Sequence, residues 1–162
     1  EFIRLEYIHT LCYSLAYLKL SYILMMKTSS EIRSGRHCTF LMHAHLVFVS
    51  KYRRMCFRSE HLETLKSIFS KVCTDFEAEL VQFEGEADHV HLLVNYPPKV
   101  SISKLVNSLK GVSSRLLRQQ HADIHRYYWE GVLWSPSYFA GSCGGAPLEV
   151  IRQYIEQQKR PD

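Results

Sequence analysis

Two histidines separated by one residue are the first candidates for chemistry in this sequence. His89 and His91 follow Asp88 in a run typical of a β-strand. Because alternate residues of a strand share a face, both imidazoles point the same way and can bind one cation. Imidazole suits zinc, manganese and other divalent ions, and an isolated pair is more often simply packed on a sheet face. The same spacing recurs at His43 and His45, so spacing alone leaves open which pair is functional.

The last predicted helix carries a second candidate group. Tyr154 and Gln158 are four residues apart, so both side chains project from one face of the helix, one turn apart. A tyrosine hydroxyl can act as a covalent nucleophile when a nearby metal activates it, and a glutamine oxygen can complete the shell of a cation. Taken alone, the two residues fit a half-buried tyrosine beside a solvated glutamine equally well.

Basic residues alternate with aromatic residues in several further segments, among them Arg126-Tyr127-Tyr128-Trp129. Basic groups bind phosphates and aromatic rings stack on unpaired bases, so this interleaving indicates single-stranded or looped nucleic acid. The aromatic residues also fit a hydrophobic core. The basic candidates are Lys51, Arg53 and Arg54 in the turn KYRR, and Lys104, Lys110, Arg115 and Arg118 on a predicted helix. Gly111 lies in the basic stripe of that helix, where the missing side chain would let another backbone approach closely.

The elements that position these residues must come from one domain of ordinary size, since the chain has 162 residues. Its hydrophobic fraction of 46% and charged fraction of 22% exclude wholesale disorder, and its net charge of +4 is compatible with a polyanion partner. The five cysteines are widely spaced and include no C-x-x-C pair, which argues against a disulfide framework or a structural zinc site. A reducing cytoplasm fits this pattern best.

The N-terminal stretch 11–26 is largely apolar, but we expect no membrane association. It is shorter than the roughly 20 residues that a membrane span needs, and Lys19 lies near its middle. A weakly basic start and the lack of a clear cleavage site argue against a signal peptide. A pair of methionines ends the stretch, and we predict that one of them is the true start. The predicted division is an N-terminal extension over residues 1–36 and a domain over residues 37–162.

From about residue 37, hydrophobic periodicity predicts an α+β domain in the order β-α-β-β-α-β-α. The predicted strands are 39–50, 78–84, 89–96 and a broken aromatic segment over 127–140; the predicted helices start at an N-cap Ser59, near Ser101 or Ser103, and at Pro147. Gly141–Gly145 is predicted to be a flexible hinge before the last helix. This order favours an antiparallel sheet backed by helices, ferredoxin-like or RRM-like, with a C-terminal helix carrying the tyrosine.

Together these motifs resemble the single-tyrosine HUH transposases, the TnpA enzymes of the smallest bacterial insertion sequences and their REP-associated relatives. The resemblance covers about residues 37–160 and rests on His-Val-His on a strand, Tyr-x-x-x-Gln on a C-terminal helix, KYRR after the first strand and SLKGVSSRLLR on a middle helix. It implies that His89, His91 and Gln158 bind the metal and that Tyr154 is the nucleophile. Family members often have a histidine where His45 stands without using it for metal, so the resemblance makes the first-strand pair the decoy.

The function that the resemblance implies is a DNA transposase. Such an enzyme cleaves and rejoins single-stranded DNA at insertion-sequence ends through a 5′-phosphotyrosine intermediate, with Mg²⁺ or Mn²⁺ as cofactor. The expected partners are single-stranded DNA with hairpins and a second copy of the chain, in a homodimer that exchanges C-terminal helices. The alternatives are a non-catalytic single-stranded DNA- or RNA-binding module and a domesticated REP-associated nuclease. The binding module gives no reason for His-Val-His and Tyr-x-x-x-Gln to coexist.

Overall fold

The computed structural model describes residues 32–128, 130–143, 152–153 and 155–156. The chain divides between Leu41 and Met42 into two compact units. In the described part of the first unit, strands β1 (Arg33–Ser34) and β2 (Thr39–Phe40) form an antiparallel hairpin. Residues 1–31, which make up most of the predicted extension, lie outside the described residues.

The described part of the second unit contains a four-stranded antiparallel sheet. Its strands are β3 (His43–Val49), β4 (Glu79–Gly85), β5 (His89–Asn95) and β6 (Phe139–Ser142). They lie in the order β4-β5-β3-β6, so β3 and β5 are central. Helices α1 (Ser59–Asp75) and α2 (Ile102–Gln120) provide the two crossover connections. This is the predicted α+β, ferredoxin-like arrangement, which is confirmed.

The hydrophobic core lies between the helices and one face of the sheet. Alternate residues of β3 and β5, such as Leu46 and Leu92, pack in one buried cluster with Leu65 and Phe69 of α1 and Leu109 of α2. The pleat sends the residues between them to the opposite face. The histidines of both strands lie on that opposite face.

The predicted strand over 39–50 is wrong as a single element. Thr39 and Phe40 pair with β1, whereas β3 begins only at His43 and belongs to the larger sheet. Both halves have the same β-branched and aromatic composition, so composition gave no sign of the break.

The predicted N-cap of α1 is displaced by one residue. Ser59 is the first helical residue and Arg58 is the N-cap. The backbone N–H of Arg58 donates to Nδ1 of His61, at 3.2 Å. The His61 ring, at the third helical position, thus accepts the N-cap N–H, as the N3 side chain of a capping box does.

The predicted aromatic strand over 127–140 is also wrong for most of its length. Residues Ala122–Tyr127 form a 3₁₀ helix, Trp134 makes an isolated bridge to Ser50, and β6 starts at Phe139. Positive φ angles at Glu130 and Gly131, of 51° and 78°, turn the chain at the break that was predicted at Gly131.

The predicted hinge over 141–145 overlaps the end of β6. Gly141 and Ser142 belong to β6 and pair with His45 and Ala44 of β3, so the first two hinge positions are in the sheet. Gly144 and Gly145 lie outside the described residues, as does Tyr154. Of the last predicted helix, residues 152–153 and 155–156 are described, and they are helical. None of the helices described is long and apolar enough to span a membrane.

Candidate active site

The pairing of β3 with β5 brings histidines from both strands together on the sheet face opposite α1 and α2. In this register Val47 lies opposite His91, Val49 opposite His89, and His45 opposite Leu93. His45 is therefore diagonal to His91 on the same face, close enough for their rings to meet.

Asp88 holds the first histidine of the pair. Its Oδ1 accepts a hydrogen bond from Nδ1 of His89 at 2.6 Å, and its Oδ2 accepts one from Nε of Arg53 at 2.9 Å. Burial alone would raise the pKa of Asp88, but the hydrogen bonds from His89 and Arg53 outweigh burial and leave the pKa below its ordinary value. Asp88 is therefore a carboxylate at neutral pH, and the Nδ1 proton of His89 points to it.

His45 holds the second histidine. Its Nε2 lies 3.0 Å from Nδ1 of His91, and the two rings meet end to end and nearly coplanar, with centroids 5.3 Å apart and planes inclined by 18°. Burial, together with the neighbouring rings of His89 and His45, lowers the pKa of His91 to about 4, and burial also lowers the pKa of His45. Both rings are neutral near pH 7, so one nitrogen of each carries a lone pair.

These side chains open onto a cavity of about 550 Å³ that is lined by His45, Val47, Val49, Arg53, His89, His91 and Phe139. The centroids of the His89 and His91 rings are 5.0 Å apart. The donor atoms of Glu86, Asp88 and His89 also lie within 4.8 Å of one another at the edge of this site. Two imidazoles with neighbouring carboxylates are a donor set that suits a divalent cation.

A second cluster of possible ligands, Glu60, His61 and His121, lies at the start of α1. Nδ1 of His61 accepts the backbone N–H of Arg58, so the proton of the neutral ring is on Nε2. Nε2 then has no lone pair for a metal and faces Oδ2 of Asp123 at 3.3 Å. This group is a hydrogen-bonded helix cap rather than a metal site.

The other two proposed site residues, Tyr154 and Gln158, lie outside the described residues. Ile155, next to Tyr154 in sequence, is fully buried with Leu93 and Cys143, on the sheet face that carries the histidines. The C-terminal helix therefore packs, through Ile155, on the same side of the sheet as His89 and His91.

The interpretation of the first-strand histidines as a decoy needs correction in one respect. Both H-x-H pairs lie on the same sheet face, and His45 contacts His91 directly. His43 does not line the cavity, and its Nε2 lies 3.2 Å from Nδ2 of Asn95. Sequence reasoning also gave no role to Asp88, although an acidic residue directly before H-x-H was a visible signal for a histidine partner.

The fold and much of the sequence of this chain recur in known proteins. The family profile described as "Transposase IS200 like" matches residues 38–158. The chain belongs to the IS200-like transposase family. The transposase for insertion sequence element IS200 of Salmonella typhimurium is 33% identical over 130 residues, which are 80% of this chain and 85% of that protein.

Two solved structures resemble the transposase. One is the crystal structure of a Deinococcus radiodurans R1 protein, with 32% sequence identity and a TM-score of 0.64. The match covers 79% of this chain and 98% of that protein's chain. The other is the structure of a REP-associated tyrosine transposase bound to a REP hairpin, with a TM-score of 0.51 and 12% sequence identity. This match covers 76% of this chain and 69% of that protein's chain. The second likeness shows the shared fold.

The KYRR turn of the transposase is strained and exposed. Tyr52 and Arg53 have positive φ angles of 63° and 51°, which are uncommon for residues with side chains. The Tyr52 ring is exposed and has the Lys51 amine and the Arg54 guanidinium 5.5 and 5.6 Å from its centroid. Arg53 instead turns towards Asp88, so the predicted basic patch is partly a support for the histidine site.

Three of the four predicted basic residues of α2 line one groove in the transposase. Lys110, Arg115 and Arg118, with Gly111 between them, face residues 131–136 across a cavity of about 440 Å³. Lys104 is exposed nearly two turns closer to the helix start and is not part of this lining.

Lys110 makes the shortest hydrogen bonds across this groove among its basic residues. Its Nζ donates to the carbonyl oxygens of Ser135 and Pro136 at 2.6 and 3.0 Å. Burial lowers its pKa. Lys110 therefore ties α2 to the segment that leads into β6, in addition to any contact with DNA.

Proposed function

We propose that this transposase cleaves and rejoins single-stranded DNA at insertion-sequence ends through a 5′-phosphotyrosine at Tyr154. The Tyr154 hydroxyl attacks the scissile phosphate, forms a bond to the 5′-phosphate and releases a 3′-OH, which takes up a proton. A second DNA 3′-OH then attacks the phosphotyrosine, restores the tyrosine and joins the new DNA ends. Each step exchanges one phosphodiester for another, so no water is consumed.

The observation that carries this proposal is the arrangement of His89 and His91. Both rings have their Nδ1 atoms next to a hydrogen-bond partner, Asp88 or His45, so the lone pairs that a cation would take are on the Nε2 atoms. We propose that these atoms and the side-chain oxygen of Gln158 hold Mg²⁺ or Mn²⁺. When bound, such an ion polarises and positions the scissile phosphate.

Single-stranded DNA with hairpins is the proposed partner. A protein of the same fold is bound to a REP hairpin, and the basic groove of α2 supports a similar partner here. The proposed DNA-binding residues are Lys51, Arg53, Arg54, Lys104, Lys110, Arg115 and Arg118. The cysteines among the described residues are free thiols, which supports the cytoplasm as the place of action. We further propose a homodimer.

The test is the formation of a covalent adduct. The purified chain with Mg²⁺ or Mn²⁺ is expected to become labelled by 3′-labelled single-stranded DNA that carries the element's own end. Tyr154→Phe is expected to abolish the labelled protein band while DNA binding stays within about twofold, since only one hydroxyl is lost. If Tyr154→Phe still cross-links, the nucleophile is wrongly assigned.

The same experiment excludes or supports the binding module, and the DNA that flanks the gene distinguishes the domesticated nuclease. A non-catalytic DNA- or RNA-binding module forms no adduct under any condition, and nothing in it requires the Asp88–His89 and His45–His91 pairs. A domesticated REP-associated nuclease forms the adduct but acts on chromosomal palindromes, and the DNA flanking its gene lacks transposon ends.

A further inference from the structure

His45 has a place in the site that the resemblance to single-tyrosine transposases does not give it. Its Nε2 atom lies 3.0 Å from Nδ1 of His91, and the two ring planes are inclined by only 18°. The backbones of β3 and β5 are hydrogen-bonded along the whole length of both strands. The contact is therefore set by the central strands of the sheet and not by a loop.

The ring of His45 is also held from its other side. Phe139 of β6 meets it edge-on, with the centroids 5.7 Å apart and the planes at 67°. Phe139 lies over Gly141, where an added Cβ would be only 3.0 Å from its Cζ, and Gly141 is the cross-strand partner of His45. The missing side chain at Gly141 thus lets Phe139 pack across the strand against His45.

A histidine that binds a metal through Nε2 carries its proton on Nδ1, and that proton needs an acceptor. For His89 the acceptor is Oδ1 of Asp88, at 2.6 Å. For His91 the atom in the corresponding position is Nε2 of His45. The two histidines of the pair thus have matching arrangements, one with a carboxylate and one with an imidazole.

We propose that His45 is a positioning residue for the metal site. Its Nε2 accepts the Nδ1 proton of His91, which fixes the tautomer of His91 and directs the Nε2 lone pair of that ring to the cation. The inference rests on the proposed function, because it takes His91 as a metal ligand. Removing a hydrogen-bond partner of this kind typically weakens metal binding by about 10–100-fold.

Two substitutions of His45 separate hydrogen bonding from ring packing. His45→Phe keeps a ring between His91 and Phe139 but has no acceptor, whereas His45→Gln loses the ring and can place an amide oxygen near the position of Nε2. Mn²⁺ affinity, measured from the free-ion electron paramagnetic resonance signal of the full chain, is expected to fall about 10–100-fold in His45→Phe. His45→Gln is expected to recover most of that loss.

The tautomer of His91 gives a second readout that needs neither metal nor DNA. In two-bond ¹H–¹⁵N spectra, the unsubstituted chain is expected to show the His91 proton on Nδ1. In His45→Phe we expect a substantial population with the proton on Nε2. A His45→Phe spectrum in which the His91 proton stays on Nδ1 would overturn the proposal.

His43 provides the matched control, because it lies on the same strand and face but outside the cavity lining. His43→Phe and His43→Gln are expected to leave Mn²⁺ affinity unchanged, with folding checked by circular dichroism. If His45→Phe binds Mn²⁺ normally and His45→Gln does not, the ring acts by packing and the proposal is wrong. If His91→Ala itself leaves Mn²⁺ affinity unchanged, the metal site of the proposed function is wrong and this inference falls with it.

Discussion

At the scale of single residues, His89 and His91 are held by partners of different strength. His89 donates to the buried carboxylate of Asp88, whereas His91 lies against the neutral ring of His45. A carboxylate partner increases the electron density on the histidine more than a neutral partner does, which makes His89 the stronger of the two proposed ligands. The low pKa of His91, about 4, means that no proton competes with a cation for this ring at neutral pH.

We predict that His91→Ala loses metal-dependent adduct formation and that His43→Ala keeps it. His91 lines the cavity beside His89, while His43 is buried next to Asn95 outside that lining. The measurement is the yield of protein labelled by 3′-labelled single-stranded DNA in Mn²⁺. Thermal melting of both variants controls for folding, because both substitutions remove buried groups. Equal loss of labelling in two well-folded variants would contradict the assignment.

The alternation of side chains along a strand is enough to put His89 and His91 on one face from sequence alone. The partner of His91 was not accessible in this way. Its position depends on which residues of β3 lie opposite His91 and Leu93 in the β3–β5 register. A shift of one residue would turn His45 into the core. Register is a property of the folded sheet, so the role of His45 required the structure.

At the scale of elements, α2 both supports the fold and offers a basic surface. Its buried side faces the core through residues such as Leu105 and Leu109, while Arg115 is exposed on the other side. Lys110 is half-buried, and its amine donates hydrogen bonds to carbonyl oxygens of the segment before β6. It therefore belongs partly to the packed side of the helix and partly to the basic surface.

We predict that Lys110→Met and Arg115→Ala have different effects. Lys110→Met leaves the carbonyls of Ser135 and Pro136 without their charged donor and is expected to destabilise the fold by about 1–3 kcal/mol. Arg115→Ala is expected to leave stability almost unchanged and to weaken hairpin binding, with the slope of log affinity against log salt reduced by about 0.9. Urea unfolding and filter binding at several salt concentrations measure the two effects. An unchanged salt slope in Arg115→Ala would exclude a phosphate contact by this residue.

Two glycines of the same domain are predicted to respond oppositely to alanine. At Gly85, at the end of β4, an added Cβ would be 2.6 Å from Leu62 Cδ2 and 3.0 Å from Val90 Cγ1, so Gly85→Ala is expected to lower stability by about 1–3 kcal/mol. At Gly111, in the middle of α2, an added Cβ meets no atom within 4 Å. Gly111→Ala is expected to raise helix stability by roughly 0.5–1 kcal/mol.

Hairpin binding by Gly111→Ala then tests the use of the groove. If DNA backbone approaches α2 closely at this position, the added methyl group weakens binding even though the protein is more stable. Affinity equal to that of the unsubstituted chain, in a variant with a higher melting temperature, would show that no such approach occurs at Gly111.

The elements that the sequence predicted well are those with a regular period. The spacing of Leu62, Leu65 and Phe69 gave α1, and the tight connection over 84–88 with Pro97-Pro98 bounded β5. The strand prediction over 127–140 failed because aromatic residues of this segment pack in the core from turns. Trp134, for example, donates a hydrogen bond from Nε1 to Oγ of Ser113 in α2 but forms only an isolated bridge. Aromatic composition alone does not distinguish a strand from a turn that packs on a helix.

At the scale of the whole molecule, the question is how the C-terminal helix completes the site. Ile155 is fully buried with Leu93 and Cys143, and Nε2 of Gln82 lies 3.5 Å from the carbonyl oxygen of Arg152. Leu93 and Cys143 thus form part of a seat for the helix beside the histidine face. β6 continues to Ser142, so the first two positions of the predicted hinge belong to the sheet.

Such a seat accepts either the helix of the same chain or that of a second copy, and we propose the exchanged arrangement in a homodimer. In that arrangement Tyr154 of one protomer is the nucleophile at the metal site that His89 and His91 form in the other protomer. Mixing inactive His91→Ala with inactive Tyr154→Phe then creates one site with both intact histidines and an intact tyrosine. We predict that the mixture regains adduct formation, at up to about half the activity per dimer of the unsubstituted protein when all dimers are mixed.

The geometry of exchange fixes how this result is interpreted. With exchanged helices, the intact Tyr154 of the His91→Ala protomer meets the intact histidines of the Tyr154→Phe protomer, and the labelled band must contain the His91→Ala chain. With sites built within one chain, each protomer keeps its own defect and the mixture stays inactive. Chains with different tags, first shown to co-purify, reveal which one carries the DNA. A labelled Tyr154→Phe chain would contradict both arrangements, since that chain has no hydroxyl at position 154 to form the bond.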